Sequence, residues 1–279
     1  MYRMKQILFW TAVLSAALPL TADELPELKE QPWMGFWIAH DQRAFDYSIM
    51  AQNGRGLLYP KIRKSRDYVR AGDNDRFQFV FIVEEQVNGK WTRRMMKEDG
   101  FKTKQKASSE VEECGFVATY EGGSKARIHH HFKRGKIIFS TELIHKTTEN
   151  PHRVGILILT PKIHNVLERK KVPSEDEIED IMDDDEIRAV RVDGKRFKFK
   201  LHEKMKLGNA ELLGDGASEF SLETKRYGGK PIIFSPAADD AGKFLFSQSK
   251  RLFQPYRVTW YPAENKNPSQ GAELVIQFK

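Results

Sequence analysis

The chain has 279 residues, a formal net charge of +7 at pH 7, 40% hydrophobic residues and a single cysteine. That length supports one large or two ordinary domains with a sizeable core, and one cysteine excludes an intramolecular disulfide. Lys and Arg are scattered rather than striped and accompany no recognition motif, which argues against nucleic acid as a partner.

The first 22 residues read as a secretory signal peptide. Arg3 and Lys5 open it, Ile7 to Leu20 is almost wholly apolar, and Leu20-Thr21-Ala22 ends it on a small residue before Asp23. This order of charge, grease and small residue marks export. The apolar run is shorter than the ~20 residues of a spanning helix, so cleavage after Ala22 is expected and the mature chain carries no transmembrane segment. The product is expected in the periplasm or secreted. No cysteine lies near the cleavage site, so no lipoprotein anchor is expected, and Cys114 beside Glu112 and Glu113 reads as a buried, unreactive thiol.

Residues 23–32 form a polar tether, and beyond it the dominant period is two. Phe45, Tyr47 and Ile49 alternate with polar residues, and Asn53-Gly54 supplies a turn. Arg76 to Val83 is aromatic and β-branched, and Asn88-Gly89 then predicts a hairpin before Trp91. Residues 154–159 (VGILIL) suit a strand buried on both faces. Arg196 to Leu201, Phe244 to Phe246, Arg257 to Tyr261 and Leu274 to Phe278 continue the pattern. Many short strands separated by Gly, Asn and Pro predict an all-β fold of sandwich type.

One hairpin can be registered residue by residue. A turn at Lys133-Arg134-Gly135-Lys136 pairs Phe132 with Ile137, His130 with Phe139, Ile128 with Thr141 and Ala126 with Leu143. The opposite face then pairs Arg127 with Glu142, an expected cross-strand ion pair.

Residues 175–186 (EDEIEDIMDDDE) carry nine carboxylates and no base, which leaves the rest of the mature chain strongly basic. Ser174 and Glu177 have capping-box spacing, and Ile178, Ile181 and Met182 form a narrow apolar stripe. A short acidic helix is therefore expected as a linker. Four landmarks recur in order across it: Asp73-x-x-Arg-Phe-x-Phe79 at Asp193 to Phe199, Phe116 with Gly122-Gly123 at Phe220 with Gly228-Gly229, Gly135 to Ser140 at Gly242 to Ser247, and Pro151 to Val154 at Pro255 to Val258. They predict a tandem duplication, with one sandwich-like domain over residues 33–166, a linker over 167–187 and a second domain over 188–279.

Chemical signals are sparse. His129 and His131 share a strand face, and Glu142 lies diagonally across the hairpin from His129, which sketches a Zn²⁺ site as the alternative to no metal. The acidic run lacks the alternating ligand loop of a Ca²⁺ site, and Asp73-Asn74-Asp75 reads as a turn. Glu84-Glu85 and Glu112-Glu113 are adjacent carboxylates that a strand would split across its two faces. No nucleophile elbow, P-loop or dinucleotide turn is present, so no cofactor is expected. The binding candidates are Trp33, Trp37 and Trp91, whose rings could stack on sugars, with the basic face near His129 and His131. The resulting expectation is a non-catalytic protein that binds a cell-envelope or extracellular polymer such as an anionic polysaccharide. The alternatives are a secreted polysaccharide hydrolase with paired carboxylates, or a structural subunit whose edge strands pair with an envelope protein.

Overall fold

In the computed structural model, the described residues are 24–64, 67–161, 174, 176–177, 180, 184–200, 214–238, 242–248, 256–263 and 273–279. The proposed signal peptide, most of the linker and the stripe Ile178, Ile181 and Met182 lie outside them. The capping-box pair is made: Glu177 N–H donates to Ser174 Oγ at 3.2 Å, and Ser174 N–H donates to Glu177 Oε2 at 2.8 Å.

Period-two patterning is realised as strands throughout. The first half supplies β1 (Phe36–Asp41), β2 (Phe45–Met50), β3 (Gly56–Lys64), β4 (Asp67–Arg70), β5 (Phe77–Val87), β6 (Lys90–Arg94), β7 (Met96–Lys102), β8 (Glu113–Tyr120), β9 (Lys125–Lys133), β10 (Lys136–His145) and β11 (His152–Leu159). The second half supplies β12 (Glu186–Arg191), β13 (Arg196–Lys200), β14 (Ala217–Glu223), β15 (Ile232–Pro236), β16 (Gly242–Gln248), β17 (Tyr256–Pro262) and β18 (Glu273–Phe278). Asp73–Asp75 forms a single 3₁₀ turn rather than a metal loop. The β5–β6 hairpin turns through Asn88 (φ 50°) and Gly89 (φ 77°), as the two-residue turn requires.

Every pairing between the strands of the described residues is antiparallel, and together they make one large curled sheet. One arm runs β1–β2–β3–β5–β11–β17–β16. The other runs β7–β8–β9–β10–β18–β15–β14–β12–β13. A single pair, Ala217 with Phe244, joins β14 to β16 and links the arms. At the far end Ser108 bridges to Ile38 and exchanges main-chain hydrogen bonds with Trp37 and Ala39, covering the outer edge of β1.

The two domains expected from sequence share this sheet. β10 pairs with β18 and β11 with β17, so the first half's strands are completed by the second. The buried side chains form one main cluster reaching from Leu25 to Ile276. The matched landmarks also fall on strands with different neighbours: β10 lies between β9 and β18, whereas its counterpart β16 lies beside β17 and touches β14 at one pair. The recurring residues mark strand starts and turns, which draw on the same residue types wherever they occur.

The arms face each other across aromatic rings. Tyr47 of β2 packs on His130 and Phe132 of β9 and on Phe139 of β10, with ring centroids 5.5–5.7 Å apart. The β9–β10 register follows the sequence-derived pairing, with Ala126, Ile128, His130 and Phe132 buried opposite Leu143, Thr141, Phe139 and Ile137. Arg127 Nη1 meets Glu142 Oε2 at 2.6 Å on the other face. Cys114 is buried, and burial pushes its thiol far above its ordinary range.

His130 sits at the centre of this core with 0% exposure, edge-on to Phe81 and Phe139. Burial, with a smaller contribution from the charge of His129, lowers its pKa from 6.5 to about 3. The unfolded chain therefore takes up a proton near pH 6.5 that the folded core refuses until about pH 3. Stability from this group is complete above that window and drains as pH falls through it, at about 1.4 kcal/mol per pH unit. A His130→Leu variant should show a shallower loss of stability between pH 6.5 and 4 in urea unfolding; an unchanged slope would refute this role.

A second long-range tie is ionic. Arg226 Nη1 binds Asp75 Oδ1 at 2.8 Å, and Nη2 pairs with the buried carboxylate of Asp185. Tyr227 Oη donates to the carbonyl of Asp75 at 2.6 Å. Arg226→Ala strands the Asp185 charge inside the protein, so a destabilisation of about 3–5 kcal/mol is expected by chemical denaturation.

Candidate functional site

A cavity of about 900 Å³ opens where the β1–β2 turn, β3, the β9–β10 turn and the segment before β15 meet. Among the described residues, its cationic lining comes from Arg43, Lys61, Arg63, Arg134, Lys230 and Lys279, against one carboxylate side chain, Glu112. These cations do not serve one purpose. Lys61 is consumed by the structure, with Nζ at 2.5 Å from Asp41 Oδ1 and 2.7 Å from Asp46 Oδ1. Burial works to lower the Lys61 pKa, but hydrogen bonds to Asp41 and Asp46 and their charges together raise it, while burial raises that of Asp46. Arg43, Arg134 and Lys230 are exposed, and among the described residues none has a carboxylate partner. Arg43 lies over the Tyr68 ring at 4.6 Å.

Part of the lining is apolar. Phe132 and Ile232 are almost fully buried, Phe278 is half-buried, and Pro60 and Pro231 complete the lining. His40 stacks on Phe132 at 4.4 Å, and Phe45 stacks behind Phe278 at 4.7 Å.

Several polar groups of the lining satisfy one another. His40 Nδ1 donates to the carbonyl of Val111 at 2.7 Å, which leaves Nε2 to accept from Gln42 Nε2 at 2.7 Å. Burial lowers the His40 pKa, in keeping with that neutral tautomer. Gln42 also donates to the Lys133 carbonyl at 3.0 Å and accepts from Gly135 N–H at 2.9 Å. One side chain thus pins the β1–β2 turn to the β9–β10 turn.

The residues selected from sequence lie elsewhere. Trp33 is half-buried and meets Phe36 edge-on at 6.1 Å. Trp37 has 0% exposure, donates Nε1–H to the Gln105 carbonyl at 3.2 Å and packs edge-on to Phe116. Trp91 is partly exposed, but the Arg153 guanidinium covers it at 4.1 Å and lies at 4.0 Å from the Tyr261 ring. His129 and His131 are exposed on one face of β9. Glu142 is engaged by Arg127, and among the described residues no group of three His, Cys, Asp or Glu is placed to hold a metal ion.

The adjacent carboxylates of β5 are held by other groups. Glu84 Oε2 accepts from Arg153 Nε and Nη2 at 2.9 and 2.7 Å and from Tyr261 Oη at 2.9 Å, and Oε1 faces Arg93. Burial, then the Glu84 charge, pushes the Tyr261 phenol to about 12. Glu85 accepts from Thr148 and Asn150 at 2.7 Å each and from Arg94, bonds that hold its pKa near 2. Glu85 is therefore not a protonated group ready to act as a general acid.

The cavity was missed from sequence because its cations are contributed singly by separate segments, with no local cluster among them. Compared with known proteins, the chain matches no family model and no curated protein.

Replacing Gln42 by Ala removes the acceptor for Gly135 N–H and the donor to Lys133. Faster amide exchange at Gly135 and a stability loss of about 1–3 kcal/mol are expected, measured by hydrogen–deuterium exchange and urea titration. Unchanged exchange at Gly135 would show that the pin is dispensable.

Proposed function

We propose that this chain is an exported, non-catalytic binding protein for an anionic cell-envelope or extracellular polymer, an acidic polysaccharide being the leading candidate. The carrying observation is the excess of cations around one cavity, with Arg43, Arg134, Lys230 and Lys279 exposed and without a carboxylate side-chain partner among the described residues. Positive groups on a concave, low-dielectric surface concentrate the local field and favour anionic ligands. Export rests on the charge, length and small-residue order of the first 22 residues. The hydrolase alternative is less well supported, because Glu84 and Glu85 are both committed to hydrogen bonds.

The reading is tested with residues 23–279 and purified acidic and neutral envelope glycans at low and high salt. Retention of the acidic glycan should collapse as salt rises. A combined Arg43→Ala, Arg134→Ala and Lys230→Ala variant should bind at least roughly tenfold more weakly at low salt, with an unchanged urea midpoint. Equal retention of a neutral glycan, or full binding by the variant, would refute the site. The intact mass of the endogenous protein should correspond to a chain beginning at Asp23.

A further inference from the structure

We infer that the part of the ligand entering the cavity is a phosphate head attached to an alkyl chain, so that the protein grips its polymer by a lipid-linked end. This rests on the binding reading above and specifies what its site accepts. Two observations carry it. First, charge and apolar surface share one lining: Arg43, Arg134 and Lys230 are exposed, and Ala44, Pro231 and Phe278 leave apolar surface partly exposed in the same cavity. A ligand that satisfies both must carry a charge and an apolar body.

Second, several polar groups of the lining are already committed. His40 is paired with Val111 and Gln42, Gln42 with Lys133 and Gly135, Lys61 with Asp41 and Asp46, and the Tyr227 hydroxyl with Asp75. A sugar hydroxyl pressed against Phe278 and Pro231 meets no hydrogen-bonding side chain on them, which is unfavourable, whereas methylene groups there gain from leaving water. Phosphate suits the mouth because it carries up to two charges and three strong acceptor oxygens, which three cations without carboxylate partners among the described residues can share. The cavity volume of about 900 Å³ falls in the range that encloses a small-molecule ligand.

Calorimetric titration of residues 23–279 with butyl phosphate, hexyl phosphate, octyl phosphate, glycerol phosphate and octanol tests this. Each added pair of methylenes should tighten binding roughly tenfold, and octyl phosphate should outbind both glycerol phosphate and octanol. The triple variant Arg43→Ala, Arg134→Ala, Lys230→Ala should weaken octyl phosphate roughly tenfold or more while retaining its urea midpoint. Phosphatidylcholine vesicles containing phosphatidic acid should compete, and pure phosphatidylcholine vesicles should not.

Binding of glycerol phosphate as tight as octyl phosphate, and lost in the triple variant, overturns the lipid inference but leaves the anion-binding function standing. The lipid inference also falls, with anion binding intact, if no alkyl phosphate binds while the acidic glycan is still retained in a salt-dependent way. Octanol binding as tightly as octyl phosphate, or octyl phosphate binding unaffected by the triple variant, overturns the charge-at-the-mouth geometry. Failure of both the phosphates and the acidic glycan removes the inference and the function together.

Discussion

Main-chain pairing between distant halves of the chain is the constraint on which this structure depends. β10 would present an open edge beyond β9, and β11 beyond β5, were β18 and β17 not hydrogen-bonded along them. Open edges carry unpaired N–H and C=O groups and invite pairing with other chains. Here the C-terminal half closes them, and that closure joins what would otherwise be two sheets into one. The apolar faces so aligned bury a shared core, and the Arg226–Asp75–Asp185 bridge crosses the same divide.

The core is rich in aromatic residues, and its one deeply buried imidazole among the described residues is informative. His130 is surrounded by Tyr47, Phe81, Phe116, Phe132 and Phe139, and its ring nitrogens find no partner among the described residues. An imidazole there is tolerated only in the neutral form, with its ring packing edge-on or stacked as the phenyl rings do. The cost of an unpaired polar atom is real, and the surrounding contacts offset it while the protein stays away from acid.

The same closure makes the cavity. Its wall takes Phe132 from β9, Ile232 from β15 and Phe278 from β18, three strands that are neighbours only because β18 runs between β10 and β15. The cations at its mouth stand on turns, where side chains reach solvent without disturbing the sheet. Gln42 couples those turns, so the geometry of the mouth is held by side-chain hydrogen bonds.

Local physics was legible in the residues. Alternation identified the strands, Asn88-Gly89 and Gly135 marked hairpins, and the β9–β10 register followed from putting Ile128, His130 and Phe132 on one face, because strand periodicity and turn geometry act over a few residues. The burial of Trp37 and the sharing of one sheet by both halves were not legible for one reason: burial and partner choice are set by segments far away in the chain. An exposed and a buried tryptophan look alike in a sequence, and Gln105 and Phe116 are what enclose this one. The pairing of β10 with β18 and the meeting of Arg43, Arg134 and Lys230 at one opening came from the folded arrangement alone, since no spacing rule encodes contacts between residues so far apart in the chain.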